Sequence, residues 1–125
     1  MNHGHIYEML FWIEATKRGF IVSKPHGDSA SYDFVVDWRG KLKRVQVKHY
    51  NGEPKNGKHY KITLKRIRKG EISQYKKEDC DYIAIHISDD WFIIPVEIPN
   101  SINICITPKG KSKYNQYKNR WDLLQ

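Results

Sequence analysis

Apolar residues recur along this chain in two rhythms. Near the N-terminus Ile6, Met9, Leu10 and Ile13 return every three to four positions, with Tyr7, Phe11 and Glu14 on neighbouring faces. That is the helical period, and it predicts an amphipathic helix with Ile6, Met9, Leu10 and Ile13 as its apolar stripe. Lys17 and Arg18 fall in the last turn and Gly19 follows, the usual chemistry of a helix C-terminus.

Beyond Gly19 the rhythm shortens toward two. Phe20–Ser23 reads as a short strand, and Lys24–Ser29, with Pro25 and Gly27, as a loop. Tyr32–Trp38 is a strand, Arg39-Gly40 a turn, and Leu42–Tyr50 the returning strand. A second loop, Asn51–Lys58, carries Pro54, Gly52 and Gly57. Tyr60, Ile62 and Leu64 alternate as in a strand, and Ile72–Lys77 reads as one helical turn. Tyr82–Ile87 and Trp91–Val96 look like buried strands joined by the acidic Ser88-Asp89-Asp90 turn. From Pro108 the chain is basic and polar, ending on Trp121, Leu123 and Leu124. This order predicts an α/β (α+β) fold with a mixed central sheet flanked by helices. A length of 125 residues suits a single domain, residues 1–125, with the basic segment 108–125 part of it.

Charge narrows the choice of partner. With 22 Lys+Arg against 14 Asp+Glu, the net charge is +8. An excess of this size in a small domain predicts an anionic partner, nucleic acid first. A membrane is disfavoured: no basic amphipathic helix stands out, and no apolar run approaches the roughly 20 residues needed to span. Cys80 and Cys105 show no CxxC spacing and lie in apolar or strand-like surroundings, so both are expected to be buried free thiols in a reducing compartment. No secretory signal pattern is visible at the N-terminus, which points to the cytoplasm. No Cys/His spacing suggests zinc, and there is no P-loop, GxGxxG or GxSxG motif.

The chemistry concentrates on the hairpin around Arg39-Gly40. A turn centred there sets Asp33 opposite Gln46, with Cβ atoms about 5 Å apart. Alternation puts Gln46 and Lys48 on one face, and Val45, Val47 and His49 on the other. A carboxylate, an amide oxygen and an ammonium thus converge. Asp33, the Gln46 side-chain oxygen and the Val47 carbonyl are suited to a hard divalent cation, Mg²⁺ or Mn²⁺ rather than zinc. Lys48 is placed to orient a water or to stabilise negative charge developing on a phosphate. A solvent-facing strand edge carries similar residues, so geometry alone does not decide between the two.

The run Tyr32-Asp33 to Val45-Gln46-Val47-Lys48 resembles the core motif of the PD-(D/E)XK nuclease superfamily: an acid on one strand, then acidic-x-Lys on the next. The chain is most similar to the PD-(D/E)XK homing endonucleases associated with group I introns, which use Gln-x-Lys. The likeness includes Gly4-His5-Ile6-Tyr7-Glu8, Lys17-Arg18-Gly19-Phe20, Pro25–Asp28, Asp79–Tyr82 and Ile94-Pro95. It implies a restriction-endonuclease-like fold and metal-dependent hydrolysis of phosphodiesters in double-stranded DNA, with Asp33, Gln46 and Lys48 as catalytic residues. The helical catalytic acid would fall on Glu8, with Glu14 the competing choice. Two departures stand out: Tyr32 replaces the proline before the acid, and Gln46 replaces the second acid, which lowers the negative charge offered to a cation.

DNA contacts are expected from Lys43 and Arg44 on the returning strand and from the basic run Lys55, Lys58, Lys61, Lys65, Arg66, Arg68 and Lys69. Lys111 and Lys113 belong to a second cluster, interleaved with Tyr114, Asn115, Gln116 and Tyr117. A solvated charged face is the ordinary alternative for both runs. Cutting both strands takes two sites, so a homodimer or homotetramer is expected. A structure-specific nuclease acting on branched DNA, such as a Holliday junction resolvase, is the second reading. A DNA-binding module with a decayed centre is the third.

Overall fold

The computed structural model describes residues 3–50 and 58–125. Lys55 lies outside the described residues. Helix α1 (His3–Lys17) is followed by strands β1 (Ile21–Ser23), β2 (Phe34–Trp38), β3 (Lys41–His49), β4 (Tyr60–Thr63) and β5 (Lys65–Arg68). Then come β6 (Glu71–Gln74), β7 (Tyr82–Ile87), β8 (Asp90–Pro95) and β9 (Asn103–Ile106). Two short 3-10 turns, Asn115–Tyr117 and Trp121–Leu124, close the chain.

Five strands form the central sheet in the order β1-β2-β3-β7-β8. All pairings are antiparallel except β3 with β7, which is parallel, so the sheet is mixed as expected. Strand alternation sorts its side chains into two cores. Phe34, Val36, Val45, Val47, Ala84, Trp91 and Ile93 point toward α1 and the C-terminal Trp121 and Leu124. Ile83, Ile85, Ile87, Phe92 and Ile94 point the other way, against Ile62, Leu64, Ile104 and Ile106 of the β4–β9 ribbon. The second face is therefore covered by a two-stranded ribbon. Among the described residues one α-helix, α1, flanks the sheet. That helix is too short and too mixed to cross a membrane.

The helix ends as its sequence predicts. Gly19 adopts φ 97°, its N–H donates to Thr16 O at 3.0 Å, and the Phe20 N–H donates to Ala15 O at 3.1 Å. This pair of bonds is a Schellman cap, and Phe20 folds back onto the same core as Ala15.

The burial of α1 corrects the sequence reading. Phe11 and Ala15 are fully buried with Tyr7 packed beside them, while Ile6, Met9, Leu10 and Ile13 are exposed. The helix has two apolar faces, and stacking decides between them: Phe11 lies 5.6 Å from Phe34 and 5.5 Å from Trp121, centroid to centroid. Residues 72–77 are a second correction. Glu71–Gln74 is a strand paired with Lys65–Arg68 through a Lys69-Gly70 turn, where both residues have positive φ. Cys105 is a third: on β9 the inward positions are Ile104 and Ile106, so Cys105 faces outward while Cys80 is buried.

Candidate active site

The β2–β3 register places Phe34 opposite Val45 and Trp38 opposite Lys41. The two-residue turn carries positive φ at both Arg39 (53°) and Gly40 (90°), the conformation that a right-twisted hairpin requires. The expected position of Asp33 against Gln46 follows, one residue beyond the ladder. Asp33 extends the pairing with both halves of the residue. Its N–H donates to Val45 O at 2.9 Å, and its Oδ2 accepts the Val47 N–H at 2.8 Å. One carboxylate oxygen is thereby fixed to the backbone, which sets the direction of Oδ1.

Burial dominates the electrostatics here. It pushes the Asp33 carboxyl up to about 6. The Val47 N–H opposes that rise, the Glu8 charge adds to it, and Lys24 and Lys48 oppose it. Lys48 is shifted the other way, because burial disfavours its ammonium, while Asp33 partly holds it charged. The Lys48 ammonium lies 5.2 Å from the centroid of the Tyr75 ring. Tyr75 is itself pushed up to about 12, first by burial and then by the nearby Asp33 charge. Glu8 reaches the same region from α1, where its Oε1 accepts from Lys24 Nζ at 2.9 Å. Lys24 in turn lies 5.1 Å from the Phe34 ring centroid.

Asp33 is thus within electrostatic reach of both Glu8 and Lys48. The competing Glu14 instead pairs with Arg18 at 2.8 Å in the next turn. Gln46 shares a strand face with Lys48, level with Ile83 and Ile85 of β7. On that face the β7–β8 half of the sheet is apolar and covered by β4–β9, whereas β3 contributes Arg44, Gln46 and Lys48. His49 points to the opposite face, as alternation requires, and stacks on Tyr7 at 4.2 Å.

The fit to a cation rests on Asp33. A buried carboxyl with one oxygen bonded to the backbone, and no ion pair to its other oxygen among the described residues, is costly to ionise without a cation. The further donors on β3, the Gln46 amide oxygen and the Val47 carbonyl, are hard oxygen atoms. Among the described residues no three His, Cys, Asp or Glu side chains gather.

Several basic residues singled out by sequence have protein partners. The Arg44 guanidinium bonds Asp81 and donates to Glu78 O (3.0 Å) and Lys77 O (2.6 Å). Arg66 bonds Ser31 Oγ at 3.0 Å and Asp79 Oδ1 at 3.2 Å, and both ion-paired side chains are largely buried. Lys43 donates to Gln125 O at 3.2 Å. Lys58, Lys61, Lys65, Arg68, Lys69, Lys111 and Lys113 are exposed. Asn115 is held by Thr107 O and Gly110 O, and Gln116 by Lys113 O. Lys24 and Tyr75 are the site neighbours that sequence reasoning missed. Lys24 lies in a loop that predicts no direction, and Tyr75 falls in the stretch 72–77 whose pattern predicts a helical turn.

Fold and site together define a nuclease of the restriction-endonuclease-like class. The family model for PD-(D/E)XK endonucleases matches residues 2–124, and the chain belongs to that family. Protein 5.3 of Escherichia phage T7 is 30% identical over 118 residues, covering 89% of this chain and 97% of that protein. The structure of I-Ssp6803I, a bacterial homing endonuclease, superposes with a TM-score of 0.83 at 28% identity, covering 97% of this chain and 89% of that one. The Holliday junction resolvase Hjc of Archaeoglobus fulgidus gives a TM-score of 0.63 at 16% identity, covering 98% and 96%. At that identity the likeness to Hjc concerns the fold.

Proposed function

We propose that this chain is a divalent-metal-dependent endonuclease that cuts double-stranded DNA at specific sites, in the manner of a homing enzyme. The observation that carries the reading is the pinned Asp33: its Oδ2 takes the Val47 N–H at 2.8 Å while its charge is felt at Lys48. The similarity to I-Ssp6803I over 97% of the chain supports the homing type.

Asp33 Oδ1, the Gln46 amide oxygen and the Val47 carbonyl would hold Mg²⁺ or Mn²⁺. When bound, the cation would polarise the scissile phosphate and acidify a water. The protein's own residues supply the rest. The Val47 N–H keeps the Asp33 carboxylate in one orientation. Lys48, whose ammonium is made less stable by burial, holds the attacking water or the phosphate oxygen gaining charge. The Tyr75 ring fixes the direction of that ammonium. Glu8, kept in place by Lys24, is the second carboxylate near the reacting region. Lys58, Lys61, Lys65, Arg68, Lys69, Lys111 and Lys113 contact the DNA backbone. Residues 1–125 work as one catalytic unit, and two units are needed for a double-strand cut.

The test is incubation of the protein with long duplex DNA and with four-way junctions, each in Mn²⁺ and in EDTA. Discrete duplex fragments in Mn²⁺ alone are expected. Cutting confined to junctions regardless of sequence would replace this reading with a resolvase, and binding without cleavage would replace it with a binding module.

A further inference from the structure

The β5–β6 hairpin has two unlike faces. Opposed residues of a strand pair share a face, so Ile67 and Ile72 lie side by side on one, and Arg66 and Arg68 lie on the other. The arginine face turns toward the protein, where Arg66 bonds Ser31 Oγ and Asp79 Oδ1. The isoleucine face therefore turns outward, and Ile67 and Ile72 are 62% and 59% exposed. Cross-strand pairing favours β-branched residues here, but threonine would serve that purpose equally well in water. A lone exposed apolar residue is ordinary on a protein surface, whereas these two form one patch.

Charge says what covers the patch. Lys65, Arg68 and Lys69 surround it against a single acid, Glu71. A second copy of this ribbon would bring the same cations and be repelled, whereas DNA offers phosphates to the cations and apolar groups to the isoleucines. The ribbon also begins and ends at the candidate active site. Lys65 bears electrostatically on Lys48. Tyr75, the residue after β6, carries the ring 5.2 Å from the Lys48 ammonium.

We propose that the β5–β6 hairpin enters the DNA major groove, and that Ile67 and Ile72 recognise thymine there through its C5 methyl group. This rests on the reading of the chain as a protein that acts on double-stranded DNA. The major groove, roughly 12 Å wide, admits a two-stranded ribbon and is where the thymine methyl is displayed. Lys65, Arg68 and Lys69 hold phosphates, which position the ribbon without specifying sequence. Ile67 stands two residues from Lys65, roughly 7 Å along the strand, which is the rise of about two base pairs. The thymines should therefore lie within about five base pairs of the cleaved phosphate, less than half a helical turn.

Duplexes selected by the wild-type chain from a randomised library in EDTA are expected to share a motif that contains thymine. Uracil in place of thymine removes only the methyl. At a contacted position it should weaken binding about four-fold in a mobility-shift titration. Ile67→Ser and Ile72→Ser should each erase that ratio at their own position. Arg68→Ala should weaken binding to both duplexes and keep the ratio. Amide exchange over β5–β6 reports whether the serine variants retain the ribbon. If they do not, Ile67→Thr and Ile72→Thr keep strand propensity and should bring the ratio below about two-fold. The proposal is overturned by the absence of a shared motif, or by no loss on uracil substitution anywhere in it. A full ratio in the variants with the ribbon intact overturns it too, as do methyl effects lying only beyond about five base pairs from the cut mapped in Mn²⁺. A change of mass in the variants with DNA binding unaltered would assign the patch to a second copy instead. Thymine-dependent binding without cleavage would sink the nuclease reading and leave the ribbon standing; cleavage with no thymine dependence does the reverse.

Discussion

The hairpins β2–β3 and β5–β6 close on the same chemistry, a basic residue followed by glycine. Arg39 and Gly40 have φ 53° and 90°, and Lys69 and Gly70 have φ 52° and 80°. In each, a two-residue turn fixes the register of the flanking strands. Their surroundings then diverge. The β2–β3 hairpin lies between β1 and β7, with Phe34, Val36, Val45 and Val47 buried against α1. Among the described residues the β5–β6 hairpin pairs only with itself, and its facing Ile67 and Ile72 are 62% and 59% exposed. Turn chemistry therefore sets which residues meet, and the neighbouring strands set how firmly they are held. The enclosed hairpin carries Asp33 and Lys48, whose geometry must be fixed. The projecting one carries Lys65, Arg68 and Lys69, which suit contact with a polyanion. Arg66 and Tyr75 connect the two, through Ser31 and Lys48.

The largest effect expected from breaking the enclosed hairpin's site is on cleavage. Asp33→Ala and Lys48→Ala should each abolish metal-dependent cutting, a loss on the order of 10³-fold or more in single-turnover assays. A wild-type rate in either mutant would remove the reacting groups from this hairpin. Next come the two arginines of β5. Arg66→Ala strands the buried Asp79 and should cost about 3 kcal/mol in urea denaturation. Arg68→Ala should change stability by less than about 0.5 kcal/mol. It should instead lower the salt slope of DNA binding by about 1. Equal stability losses in the two mutants would contradict the distinction between anchor and contact.

The strained acid gives a pH test. The Asp33 carboxyl is raised from 3.8 to about 6 in the folded chain, so the native state holds this proton more tightly than the unfolded state. Its contribution is fully present below pH 3.8 and is lost as pH rises through about 6, amounting to roughly 3 kcal/mol at most. Asp33→Asn, which keeps an oxygen for the Val47 N–H, should therefore raise the Tm at pH 7 and lose that advantage near pH 4. A mutant equally stabilised at both pH values would show that burial of the charge is not the cause. The smallest effect concerns the turns. Gly40→Ala and Gly70→Ala each force a left-handed alanine, at a cost of about 1 kcal/mol. The first should lower the global Tm. The second should appear as faster amide exchange confined to β5–β6.

Much of the enclosed hairpin was legible in the sequence. A strand has a side-chain period of two, and a two-residue turn leaves no freedom to slip, so the placement of Asp33 against Gln46 followed from counting. The Schellman cap at Gly19 was legible for the same local reason. The β5–β6 hairpin carries an equally explicit turn, yet Ile72–Lys77 reads as helical because its exposed residues lack clear alternation. Ile104 and Ile106 of β9 lie in a run too short to stand out, and their pairing with β4 spans about forty positions.

By itself, then, the sequence determined the local frame: the helix and its cap, the hairpin register, and the acid, amide and lysine on one sheet segment. The tertiary structure decided what local rules leave degenerate. Two apolar faces of α1 were equally eligible for the core, and the aromatic stack of Phe11, Phe34 and Trp121 selected one. Cations identical in composition were divided by buried partners, Asp81 for Arg44 and Asp79 for Arg66, leaving the others to solvent. Asp33 became a strained acid only once long-range packing had excluded water around it. Burial is a property of neighbours brought together from distant parts of the chain, and no local period encodes it.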